Sequence, residues 1–83
     1  MSPKKLLLLD RCRRKGHIGI RDVDIVFNFP TPNNYTDYHK QNLHKLEILR
    51  GLELQGYLRK IAKLEWELTE KGFAILSMEG YNE

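Results

Sequence analysis

The segment GYLRKIAKLEWELTEKG, residues 56–72, constrains the fold more than any other part of the chain. Two short runs, Tyr57 to Ile61 and Leu64 to Leu68, alternate apolar with polar residues around Ala62 and Lys63, which is the pattern of a β-hairpin. Leu58, followed by Leu64, Trp66 and Leu68, is expected to form its inward face. A two-stranded hairpin is marginal in water by itself, so the rest of an 83-residue chain must supply the surface it packs on. That surface should be helical. At this length the chain makes one domain, residues 1–83, with a small core that a second copy would help to stabilise.

Ser2 and Pro3 have the form of an N-cap followed by proline at the first helical position, and Gly16 stands where a left-handed C-terminal cap would end the helix. A first helix is therefore expected over about residues 3–15. Its four consecutive leucines, Leu6 to Leu9, sweep about 300° around a helix, so one flat core cannot receive them all and some should meet another copy of the chain. His17 to Ile20 alternates and is too short to be more than a bridging strand, a candidate third strand for the hairpin. Asp22 to Phe29 suits a second short helix, ended by Pro30 and Pro32. In the turn-rich connection that follows, Asn33, Asn34 or Thr36 can cap the next helix, and part of the connection is itself expected to be helical.

The third helix should run from about Thr36 or Tyr38 to Gln55, with Gly56 as its terminator. Leu43, Leu46, Leu49 and Leu52 recur every third residue, so the stripe drifts about 60° at each step. Such a helix is either wrapped by different neighbours at its two ends or disturbed near Gly51. Taking Leu43 and Leu46 as inward, Tyr38, Gln41 and Lys45 form an outward polar face, with Asp37 and His44 at its margin. After the hairpin, Thr69 is expected to cap a last helix through Phe73, Ala74, Leu76 and Met78, with Gly72 closely packed in its first turn.

The order helix, short strand, helix, turn, helix, hairpin, helix resembles the winged helix-turn-helix domain. The residues carrying the resemblance are ILRGLELQGYLRKI and LEWELTEKGFAIL, about forty residues similar to the segment from recognition helix through wing in MarR-, PadR- and ArsR-like regulators. The resemblance implies an α+β fold: a three-helix core, a two- to three-stranded β wing and a C-terminal helix. The run 28–36, rich in proline and asparagine, is longer than the tight turn of that family.

On this resemblance the N-terminal half of helix three enters the major groove of double-stranded DNA. Gln41 would pair with adenine, Lys45 would reach guanine or a phosphate, and Asn42 and His44 would flank them as donors. Tyr35 and Tyr38 would bond phosphates through their hydroxyls, and Arg59, Lys60 and Lys63 would lay the wing along the backbone or against the adjacent minor groove. Glu65, Glu67 and Glu70 sit on or beside the wing and oppose phosphate, so its reach should be short.

The charge pattern admits two readings. Residues 1–21 carry seven cations against one anion, net +6, and residues 22–83 carry seven against ten, net −3. A basic end is the footprint of a polyanion binder. Equally, Arg11 to Lys15 would fall in a last helical turn, where cations complement the macrodipole.

Other chemistries find little in the sequence. The histidines and Cys12 lack metal-ligand spacing, no nucleophile, base and orienting group can be assembled, and there is no glycine-rich phosphate loop; neither metal, cofactor nor catalysis is expected. Cys12 is expected to be a core residue, and as the single cysteine it suits a reducing, cytoplasmic setting. The apolar cluster Leu6 to Leu9 is too short for a membrane span or a signal-peptide core. Two functions fit. One is a DNA-binding transcriptional regulator working as a homodimer through its N-terminal and C-terminal helices. The other is a winged-helix protein-interaction module, suggested by the modest net charge, the acids near the wing and the aromatic residues Phe27, Phe29, Tyr35 and Tyr38.

Overall fold

Three of the four helices begin at an N-cap side chain that the sequence supplies. The computed structural model describes residues 1–81 and contains, in order, α1 (Pro3–Lys15), α2 (Ile20–Phe27), α3 (Tyr35–Leu54), β1 (Leu58–Ala62), β2 (Glu65–Leu68) and α4 (Glu70–Met78). The Ser2 hydroxyl accepts from the Lys5 amide at 3.3 Å, Asn34 Oδ1 from the Asp37 amide at 2.9 Å, and Thr69 Oγ1 from the Gly72 amide at 3.1 Å. Helix α2 starts two residues before its expected first residue because Asp22 reaches back: its Oδ2 accepts from the Gly19 amide at 2.9 Å. It ends at Asn28, whose φ of 54° turns the chain out of the helix. Of the connection that follows, only the part from Tyr35 onward is helical.

Helices α3 and α4 end in the same way. The Tyr57 amide donates to the Leu52 carbonyl at 3.0 Å and the Gly56 amide to Glu53 at 2.9 Å; Tyr81 and Gly80 repeat the pair onto Leu76 and Ser77 at 2.8 and 3.2 Å. These are Schellman closures, and each needs a positive φ, 88° at Gly56 and 86° at Gly80. A shared Leu-x-x-x-Gly-Tyr sequence, 52–57 and 76–81, makes both.

Strands β1 and β2 pair antiparallel, Leu58 opposite Leu68 and Lys60 opposite Trp66, with an irregularity between Lys60 and Ala62. The turn lies at Lys63 and Leu64, one residue later than expected. Leu64 is therefore exposed at the tip instead of inward, and Leu58, Trp66 and Leu68 alone form the buried face. The third strand is reduced to one antiparallel bridge between Ile18 and Trp66, closed by hydrogen bonds of 2.8 and 2.9 Å. Gly72 is as tightly placed as its position suggests. A Cβ there would lie 2.5 Å from both the Tyr57 carbonyl oxygen and Leu68 Cδ1.

Helix α1 is the centre of the molecule, flanked by α2, β2 and α4. Because neighbours stand on several sides, Leu6, Leu8, Leu9 and Cys12 are all buried within one chain, and only Leu7 is left facing out. The surplus of leucines that suggested a second copy is thus absorbed internally. No helix among the described residues is long and apolar enough to cross a membrane.

The ends of α1 and α2 are joined by Asp22. Its buried carboxylate takes Arg11 Nε and Lys15 Nζ on Oδ1, each at 2.6 Å, beside the Gly19 amide on Oδ2. Burial alone would push this carboxyl up, but the hydrogen bonds from Lys15, Arg11 and Gly19 outweigh it and hold the group below the ordinary carboxylate value. Replacing Asp22 by Asn should cost about 2–3 kcal/mol at neutral pH, measured by urea unfolding. The folded carboxyl titrates below its unfolded value of about 3.9, so its contribution is whole above that value and is lost as pH falls through the folded one. The gap between wild type and Asp22→Asn should therefore close in acid.

Candidate nucleic-acid interface

The rotation of α3 about its own axis decides which residues reach solvent, and the drifting leucine stripe sets that rotation. Leu49 and Leu52 are fully buried, Leu46 is half-buried, and Leu43 is 49% exposed. Inward is therefore the direction of Leu49 and Leu52. Counting back from Leu49 by a turn at a time, Lys45, Gln41 or Asn42, and Tyr38 lie on that same side. Of the expected inward pair only Leu46 packs against the core, and of the expected outward face Tyr38 is exposed while Gln41 and Lys45 are turned toward the protein.

Lys45 is the clearest correction. It is only 7% exposed, with Nζ 3.5 Å from Asp24 Oδ1 on α2 and 5.2 Å from the centre of the Phe29 ring. A lysine tolerates this site because its stem packs as a hydrocarbon while its ammonium keeps a carboxylate and an aromatic face. Gln41 is also engaged internally: its Nε2 donates to the Pro30 carbonyl at 3.0 Å. Asn42 is half-buried. His44 remains exposed and stands edge-on to Phe29, ring centres 5.7 Å apart. The Pro-Asn connection is thus strapped to α3 by the polar residues expected to read bases.

Tyr35, 79% exposed, stacks parallel on His39 one turn later, and Tyr38 is exposed beside them. The side of α3 that faces solvent carries Thr36, Lys40, Leu43, Glu47, Arg50 and Leu54, none of which was expected on an outward face and one of which, Leu43, was expected inward. The signal was present: each lies roughly half a turn from Leu49 or Leu52.

The hairpin cations differ in their freedom. Arg59 pairs with Glu67 across the strands, and Lys60 lies 5.5 Å from the centre of the Trp66 ring. Lys63, at the turn, is exposed and has no ion pair among the described residues. At the basic end, Arg11 and Lys15 serve Asp22, while Arg13 and Arg14 serve Asp10 at 2.7 and 3.2 Å. Four of the seven cations there thus share two carboxylates, and Lys4, Lys5 and Arg21 have no ion pair among the described residues.

Cys12 lies in the core, with Sγ 3.7 Å from the Trp66 carbonyl oxygen. Burial, reinforced by the Asp22 charge, pushes its thiol up to about 11, so it is protonated at neutral pH. Among the described residues no three His, Cys, Asp or Glu side chains are grouped as metal ligands would be.

If Lys45 is a packing residue, shape should matter more than charge. Lys45→Met should unfold within about 1 kcal/mol of wild type, whereas Lys45→Ala should lose about 1–2 kcal/mol, both read from urea midpoints.

No family model matches the chain, and neither a curated protein nor a solved structure matches it.

Proposed function

We propose that this chain is a winged helix-turn-helix protein that binds duplex DNA as a transcriptional regulator, with the outward side of α3 as its reading surface. The observation that carries the reading is the full-length face from Thr36 to Leu54, whose six residues are all exposed among the described residues. A 20-residue helix is about 30 Å long and of a width the major groove admits. On that face Lys40 suits guanine or a phosphate, Glu47 suits the amino group of cytosine, and Arg50 suits the backbone. Lys60 and Lys63 on the hairpin would follow the phosphates, as would Tyr35 and Tyr38 through their hydroxyls. Gln41 and Lys45 take a different part: by holding residues 28–34 against α3 they set the angle at which the helix is presented.

The regulator acts as a homodimer in this reading, with exposed Leu7 on α1 and Phe73 and Met78 on α4 as the paired surface. Two half-sites would then lie about one helical turn apart. The protonated, buried Cys12 is compatible with a reducing cytoplasm. A second reading, a protein-interaction module, is favoured by the apolar residues Leu43 and Leu54 on the same exposed face, next to the Tyr35 and His39 stack.

Fluorescence anisotropy with random-sequence duplex at several salt concentrations separates the two. A DNA binder gives a steep negative slope of log affinity against log salt, and Lys40→Ala and Lys63→Ala should each lessen it by about 0.9. Lys45→Ala should leave the slope unchanged. A slope near zero with micromolar protein would assign the face to a protein partner, and light scattering tests the dimer independently.

A further inference from the structure

We propose that the tip of the β1–β2 hairpin is an apolar wedge for the minor groove, placing Ile61 and Leu64 against a base step while Lys60 and Lys63 hold the flanking phosphates. The proposal rests on the DNA-binding reading above and adds a deformation of the duplex to it.

The strand register supplies the first observation. Lys60 pairs with Trp66 and Ala62 with Glu65, which leaves Ile61 as an extra residue in β1. A bulge of this kind releases a side chain from the ladder and re-aims it. Ile61 is 48% exposed and Leu64, across the turn, 47%. Two branched aliphatic side chains are thus about half exposed at one end of the hairpin.

Rigidity is the second. The Leu64 carbonyl lies against the α1–α2 connection so closely that a Cβ on Gly19 would come within 2.7 Å of its oxygen. Behind the turn, the Ile18 bridge clamps Trp66 in β2. A wedge has to be held while it parts stacked bases, and this tip is held on two sides.

Charge at the tip is complementary to a polyanion. Lys63 occupies the turn and Lys60 precedes the bulge. Of the nearby carboxylates, Glu67 takes Arg59, while Glu65 lies 3.9 Å from His17 Nε2, so the two lysines leave the tip with a net positive charge. Leucine and isoleucine wedges flanked by basic residues unstack deformable steps such as TA and kink the duplex.

The test uses the full chain and a short duplex with 2-aminopurine at a central TA step and a dye at each end. Wild type should raise 2-aminopurine fluorescence and shorten the end-to-end distance on binding. Ile61→Ala with Leu64→Ala should bind within about fivefold of wild type yet lose most of both signals, and Ile61→Val should keep them. Salt-sensitive binding by wild type without either signal would overturn the wedge and leave the DNA reading intact; absence of such binding would remove both. Conversion of a dimer to a monomer by the double substitution would also overturn it, since the tip would then be a self-association surface.

Discussion

The indole of Trp66 is what the architecture depends on. Its side chain is buried, its Nε1 donates to Glu53 Oε1 on α3 at 2.9 Å, and its backbone closes both hydrogen bonds of the bridge to Ile18. Its carbonyl oxygen also receives the Cys12 thiol of α1, and Lys60 lies over its ring. One residue of β2 therefore touches α1, α3, the α1–α2 connection and its own partner strand. A hairpin without such an anchor would be marginal in water. Here it is fixed at the level of the ring, and everything towards the turn inherits that position. The bulge at Ile61 falls immediately beyond the anchored pair, where the ladder can change direction without loosening the core.

Charge plays a structural part that a linear count conceals. The acids Asp10 and Asp22 are buried, and each is answered by two cations from the last turn and a half of α1. Asp22 belongs by sequence to the acidic remainder of the chain, yet in space it sits among the basic residues. The cluster completes the end of one helix and the start of the next. Such pairs add modestly to stability, but a buried carboxylate deprived of its partners is costly, so they fix how α1 and α2 meet. The cations outside any ion pair among the described residues are scattered: Lys4 and Lys5 on α1, Arg21 on α2, Lys40 and Arg50 on α3, Lys60 and Lys63 on the hairpin and Lys71 on α4.

What could be read from the sequence was local. Caps at Ser2 and Thr69, a cap among Asn33, Asn34 and Thr36 that proves to be Asn34, the glycine closure at Gly56, the hairpin and the tight place at Gly72 each depend on a few neighbouring residues and were legible. The α+β architecture of four helices and a two-stranded antiparallel sheet followed from their order. The rotation of α3 was not legible in the same way. A leucine at every third position offers more than one inward direction, and choosing between them requires knowing where α2 and β1 lie. Lys45 and Gln41 looked like surface residues because their types usually are; the carboxylate, ring and carbonyl that receive them come from elsewhere in the chain. The hairpin tip moved by one residue for a related reason, since a bulge adds a residue to β1 that strict alternation does not count.

The long connection 28–34 links these differences. Phe27 and Phe29 lie with ring centres 6.3 Å apart, and Phe29 reaches α3, where Lys45 covers its face and His44 meets its edge. Pro30, which has no amide N–H to donate, supplies its carbonyl as acceptor, and Gln41 closes on it. A tight turn would have left these α3 positions open to solvent. A connection of this length covers them, and the cost of ordering it is offset by the ring contacts and the hydrogen bond. The consequence for recognition is that the outward face of α3 carries a mixture, Lys40 and Arg50 with Glu47 and Leu43, instead of a row of donors. A face of that kind gives weak hold on any polyanion by charge alone, so on the DNA reading affinity has to come from contacts added elsewhere: a second copy, the lysines of the hairpin and the shape of its tip.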